Sequence, residues 1–284
     1  MSAMLSYQFM QYALLAALMT GMTTPAIGTY LVQRRLALLG DGIGHIALTG
    51  VALGVLTGTT PIITAVIVSS IGAIAIELLR AYGHTSGDVA LALLFYGGIA
   101  GGVLLINLAG GSAAQLNGYL FGAITTISST DLILVLVLAV VILVIALGLA
   151  PQLFAVCQDE EHARVSGVPV RLYSIVIAVL AAVTVTVAMR TVGLLLVSAL
   201  MVVPVATAQQ LTRSFKTTVA LAMAIGTVAA VTGVTMSYFV DTQPGPTIVV
   251  LALGVFLLVT PIGTMLRSRR NRRAAAHPES RLAA

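Results

Sequence analysis

LILVLVLAVVILVIALGLA, residues 132–150, is a run of nineteen residues with no charged or polar side chain. About 20 such residues in a helix match the hydrocarbon thickness of a bilayer. The unbroken Leu, Val, Ile and Ala content fits a lipid-spanning helix, whereas a membrane β-strand reads as about ten residues of alternating polarity. The rest of the chain repeats this character. Over 284 residues, 59% are hydrophobic and 8% charged, and the mean hydropathy is +1.08. That leaves too little polar surface to clothe a water-soluble globule or a soluble catalytic domain. Trp is absent, and the single Cys157 has no partner for an internal disulfide.

Comparable apolar stretches fall at 7–32, 44–56, 61–79, 89–109, 172–189, 192–211, 217–240 and 247–265. With 132–150 they predict an all-α, polytopic membrane protein of eight or nine helices, the stretch at 44–56 being short. One transmembrane domain over 1–266 is expected, followed at 267–284 by a basic, disordered cytoplasmic tail held to anionic headgroups rather than to nucleic acid. No Lys or Arg precedes the first apolar run, so that run is expected to stay as a span rather than be cleaved. GSAAQLNGYLFGAITTISSTD, residues 111–131, is apolar yet rich in Gly, Ser and Thr, and reads as an interfacial or re-entrant helix.

Cytoplasmic loops carry an excess of Lys and Arg, which tests the map. Arg34 and Arg35, Arg80, Arg164 and Arg171, Arg213 and Lys216, and the cluster from Arg267 to Arg273 fall in alternate loops. Nine spans reproduce this with the N-terminus outside and the C-terminus inside. Arg190 is the exception, expected to snorkel from a helix end on the outer side.

Against this background the stretch GDGIGHIALTG, residues 40–50, stands out. Asp41 and His45 are four apart and so share a helix face. A helix continuous from Leu36 would place His45 about 15 Å beyond Arg35, near the bilayer centre. Ionisable groups there cost roughly 2.5–3.5 kcal/mol each, so they mark a pathway or ligand. A carboxylate and an imidazole make half of a divalent-cation site, since a tetrahedral zinc needs four ligands. A two-fold pair of chains would supply the second half. Donors within one chain are the alternative: Asn107, Asn117, Tyr119, Ser198, Met201, Gln209 or Asp241. The competing reading makes Asp41 an interfacial carboxylate capping the helix and His45 a residue merely hydrogen-bonded to a neighbouring helix. Glu77 and Arg80, three apart, read as a mutual ion pair.

A second constellation, CQDEEHARVSGVPV, spans 157–170 between two spans on the expected cytoplasmic side. Asp159, Glu160 and Glu161 open a short helix, Gly167 stops it, and Pro169 prevents its resumption. It reads as a docking element for a soluble partner or as a solvated turn. His162, His84 and His277 have no companions at ligand spacing. No phosphate-binding loop accompanies the one lysine, Lys216, and neither GxSxG nor HExxH occurs. The chain is therefore not read as an enzyme, and any energy source lies on another chain or in an ion gradient.

Taken together, GDGIGHIALTGVALG, LNGYLFG at 116–122, HARVSGVPVRLYSI, and MRTVGLLLVSALMVVPVATAQQL at 189–211 resemble the membrane permease family of ATP-binding-cassette (ABC-3) importers for zinc, manganese and iron. The resemblance implies a dimer with itself or a paralogous permease, two cytoplasmic ATP-binding subunits, and an extracytoplasmic metal-binding protein. It implies that Asp41 and His45 contact the metal ion in transit. It also implies that Glu160, Glu161, Ala163, Arg164, Gly167, Val168 and Pro169 form the segment coupled to the ATPase. No resident cofactor is implied; the metal is cargo. Gly44 stands where the family often carries Ser, a departure that bears on selectivity. The competing class is a secondary transporter in which Asp41 carries a proton or sodium ion. A third is a membrane scaffold that transports nothing.

Overall fold

The computed structural model describes residues 6–82, 87–110, 113–123 and 128–276. Those residues form twelve helices and no strand: α1 (Gln8–Gln33), α2 (Leu39–Thr57), α3 (Pro61–Tyr82), α4 (Gly87–Leu108), α5 (Ala113–Phe121), α6 (Ser129–Gly148), α7 (Ala150–Gln158), α8 (Glu160–Val165), α9 (Val170–Met189), α10 (Leu194–Leu211), α11 (Phe215–Val240) and α12 (Pro244–Ala276). Among the described residues nine helices, α1–α4, α6 and α9–α12, are long and apolar enough to cross a bilayer. The segment from 111 contributes the nine-residue α5, too short to cross.

Two boundaries differ from the sequence reading. α2 has 19 residues, beginning at Leu39 rather than 44. Gly40, Asp41 and Gly42 lower the local hydropathy without interrupting the helix, so the span looked shorter than it is. α12 continues through the basic cluster to Ala276, where the tail was expected to be irregular. Arg and Ala are strong helix formers, which suits that continuation. Residues 277–284, with His277, and residues 83–86, with His84, lie outside the described residues.

Helix starts are set by local chemistry. Ser128 accepts a hydrogen bond from the Asp131 amide at 3.1 Å while the Asp131 carboxylate accepts from the Ser128 amide, a reciprocal capping box at the head of α6. Ser214 caps α11 through the Thr217 amide. Packing then follows the rules of a lipid solvent, in which small residues let helices approach closely. Buried positions on α1 include the small Ala13, Ala16, Ala17, Thr20, Gly21, Thr23 and Thr24 beside the larger Met10, Ile27, Tyr30 and Leu31, while Ile67, Ile71, Leu93, Val137, Val144, Leu257 and Leu258 point outward. α1, α2 and α9 are the most enclosed spans and α4 the least, leaving one long face of α4 unpartnered.

Ion pairs gather at the two ends of the bundle. One end holds Arg34, Glu77, Arg80 and Glu160, with Glu77 and Arg80 paired as expected at 2.8 Å. This is the end the basic loops assign to the cytoplasm. At the other end Arg190 pairs with Asp131 and lies over the Tyr119 ring, 5.6 Å from its centroid. The snorkelling expected of Arg190 is thus replaced by an ion pair between the end of α9 and the start of α6.

Candidate functional site

The chain leaves α1 through a tight turn. The amides of Arg34, Arg35 and Leu36 donate to the carbonyls of Tyr30, Val32 and Leu31, and Arg35 sits in the left-handed region at φ 60°. Leu38 precedes α2 and offers no side-chain cap. Asp41 therefore lies in the first turn of α2, and His45 one turn further along. The first turn suits a carboxylate, since the helix dipole stabilises negative charge there by about 0.3–1 kcal/mol.

α4 crosses α2 at this level. A Cβ placed on Gly98 would lie 2.6 Å from the His45 carbonyl carbon and 2.7 Å from the Ile46 amide, so only glycine allows the approach. Thr49 secures it by donating to the Gly98 carbonyl at 2.8 Å. The close crossing brings the Phe95 ring edge-on to the imidazole, with centroids 4.2 Å apart. His45 is 3% exposed, and its Nδ1 has no hydrogen-bond partner. A buried polar atom left unpaired costs about 1–3 kcal/mol. Asp41 lines a cavity of about 270 Å³ whose other walls are Leu38, Leu91, Ala92, Phe95 and Tyr96. Leu38 and Tyr96 are 70% and 69% exposed, so this cavity opens on the outside of the bundle rather than into an internal channel.

Among the proposed additional donors, the structure brings two toward the pair. Ser198 donates to the Asp41 carboxylate across 3.4 Å, and Met201 packs beside Gly40 on the same helix, α10. Tyr119 belongs to the Arg190 cluster at the opposite end, where burial raises its hydroxyl pKa and the Arg190 guanidinium opposes the rise. Asp241 ends α11 in the left-handed region. Asn107 and Asn117 are exposed, and Gln209 lines a separate polar cavity with Gln33 and Arg213. Among the described residues no group of three His, Cys, Asp or Glu gathers anywhere. One chain therefore sets the Asp41 carboxylate on an outward-opening cavity, with the His45 imidazole buried behind the Phe95 wall one helical turn further along.

The 157–170 segment folds as its residues suggested. The Asp159 carboxylate accepts from the amides of Glu161 and His162, both at 3.0 Å, and starts the six-residue α8. Gly167 at φ 82° ends it, in a conformation that a side chain would strain. Ala163 packs inward against Val156, Val168 and Val170, while Glu161, His162, Arg164 and Pro169 are exposed. Val165 is 88% exposed, an apolar residue on the outer face that sequence reasoning passed over. Glu160 turns back to Arg34. Phe95 and Gly98 were also missed; the only sequence signal was the small-residue pattern FYGGIAGG at 95–102, the mark of close helix approach.

Nine candidate spans among the described residues, a short helix standing out at the basic end and ionisable side chains within a span define the class: a multi-pass plasma-membrane transport permease rather than an enzyme. The chain belongs to the ABC 3 transport family, whose model matches residues 6–262. It is 32% identical over 275 residues to the manganese transport system membrane protein MntC of Halalkalibacterium halodurans, covering 95% of this chain and 94% of that protein. It is 29% identical over 246 residues to the high-affinity zinc uptake system membrane protein ZnuB of Haemophilus influenzae, covering 87% and 94%. The fold is similar to PsaBC from Streptococcus pneumoniae in complex with Fab, with a TM-score of 0.84 and 30% identity over 91% of this chain and 93% of the other.

Proposed function

We propose that this chain is the permease subunit of an importer that carries a divalent transition metal, manganese, zinc or ferrous iron, into the cytoplasm, driven by ATP hydrolysis on two partner subunits. The observation that carries the reading is the buried, unpartnered Nδ1 of His45, one helical turn beyond Asp41. Carboxylate and imidazole together suit all three metals, so the donors alone do not choose among them. The similarity to MntC and ZnuB supports a metal cargo.

The outward opening of the Asp41 cavity supports a second copy, or a paralogous permease, covering the α2/α4 face. Two Asp41/His45 pairs would then face each other and enclose a four-ligand set. An extracytoplasmic metal-binding protein delivers the ion, which exchanges its water shell for these donors. The ATP-binding subunits dock on α8, where Val165, Glu161 and Arg164 form the outward face. Closure of those subunits turns the site inward, and a site that dehydrates the ion must still release it. Only neutral imidazole ligates, so loading weakens as pH falls through the histidine's titration.

Radiolabelled manganese and zinc uptake in cells carrying His45→Ala at wild-type protein level tests this. Uptake should fall to background. Undiminished uptake of both metals would refute the assignment.

A further inference from the structure

The short helix α8 has six residues and buries one side chain, Ala163, so packing alone holds it weakly. Two adjacent residues at the end of α1 reach across to its start. Gln33 donates to the Gln158 side chain at 2.8 Å, and Arg34 pairs with Glu160. These contacts flank Asp159, the residue that caps α8. The Arg34 side chain is only 5% exposed and also lies 3.6 Å from Glu77, which Arg80 holds at 2.8 Å. Two cations and two carboxylates thus join α1, α3 and α8 with no net charge.

Arg34 is not in the middle of a helix. It stands in the turn that closes α1, with Arg35 at φ 60° beside it, and Asp41 follows seven residues later in the first turn of α2. Only Leu36, Ala37 and Leu38 intervene between that turn and α2. A cavity of about 580 Å³ lies against the same charges, lined by Arg34, Glu77, Arg80, Glu160, Arg164 and Arg171. Ion pairs beside such a space have room to shift without repacking a core.

We infer that the Gln33–Gln158 and Arg34–Glu160 contacts are the linkage through which displacement of α8 moves the start of α2 and so changes access to Asp41. Arg34 and Glu160 are then positioning residues for transport. Glu160, its side chain 47% exposed, reaches Arg34 from the start of α8. This rests on the reading of α8 as the ATPase-docking helix and of Asp41 and His45 as the metal site.

The test uses the whole transporter, permease with its ATP-binding subunits and binding protein, in sealed vesicles. Manganese uptake, zinc uptake and ATP hydrolysis are measured on one preparation. Arg34→Gln, which breaks the contact from the α1 side and leaves the α8 segment unaltered, should keep ATP hydrolysis within about twofold of wild type and lower metal moved per ATP about fivefold or more, the lower end of typical coupling between sites. Arg34→Lys, which keeps the charge, should recover part of the loss, and Gln33→Ala should lower the ratio in the same direction. An unchanged ratio in both Arg34→Gln and Gln33→Ala would overturn the linkage. So would a parallel fall of hydrolysis and uptake in Arg34→Gln, or loss of its ATP-binding subunits on purification, because each would trace the defect to ATPase docking instead. Wild-type vesicles that move neither metal would overturn the transport assignment and the linkage with it, whereas an unchanged ratio beside intact wild-type transport overturns the linkage alone.

Discussion

Replacing Gly98 by Ala tests whether the closeness of α2 and α4 builds the site. The new methyl would sit 2.6–2.8 Å from three backbone atoms of His45 and Ile46. Ordinary carbon contacts begin near 3.5 Å, so the helices must separate by roughly 0.8 Å, and backbone cannot swing aside as a side chain can. Overpacking of this kind costs about 1–3 kcal/mol, while the better helix propensity of Ala returns about 1 kcal/mol. The net expectation is a loss of up to about 2 kcal/mol, and Phe95 is drawn back from the imidazole. The neighbouring Gly97 is the control, since a Cβ there meets nothing within 4 Å. Gly97→Ala should be neutral or slightly stabilising. Thermal unfolding of the purified permease in detergent reads the stability, and metal uptake in cells reads the site. Gly98→Ala protein with wild-type melting temperature and wild-type uptake would show that the α2–α4 crossing yields freely, and that the account of His45 burial is wrong.

At the opposite end, Arg190 and Asp131 have side chains only 16% and 24% exposed, so their pair falls between surface and buried cases. Asp131→Asn should destabilise by about 1–3 kcal/mol, and adding Arg190→Met should cost less than the sum of the two; strict additivity in thermal unfolding would deny the pairing. Cys157 is buried at the end of α7, and burial pushes its thiol up to about 12, with the Arg34 guanidinium opposing and Glu160 adding to the rise. Maleimide at pH 8 should therefore label the folded protein more than about a hundredfold more slowly than the denatured chain, because the thiolate is the nucleophile. Labelling at equal rates would contradict the burial.

The membrane class, the nine spans and the pairing of Asp41 with His45 were legible in the sequence because each depends on neighbours within one helix. Hydropathy needs about 20 consecutive residues and a shared face needs four. The α8 segment was equally legible, since Asp159 and Gly167 act on their own backbone. Glycine blurred the start of α2, because it lowers hydropathy while leaving helical hydrogen bonds intact. What the sequence left open joins residues far apart along the chain. Arg190 reaches Asp131 across 59 positions, Arg34 reaches Glu160 across 126, and Ser198 reaches Asp41 across 157. The sequence alone determined that a carboxylate and an imidazole ride on one membrane helix. Tertiary structure decided that the imidazole is buried behind Phe95, that the Asp41 cavity opens outward, and that α8 is tied to the turn before α2. The physical reason is that lipid gives large apolar side chains no drive to meet, so contacts between helices are chosen by glycine clearances and paired charges, which have no period along the chain.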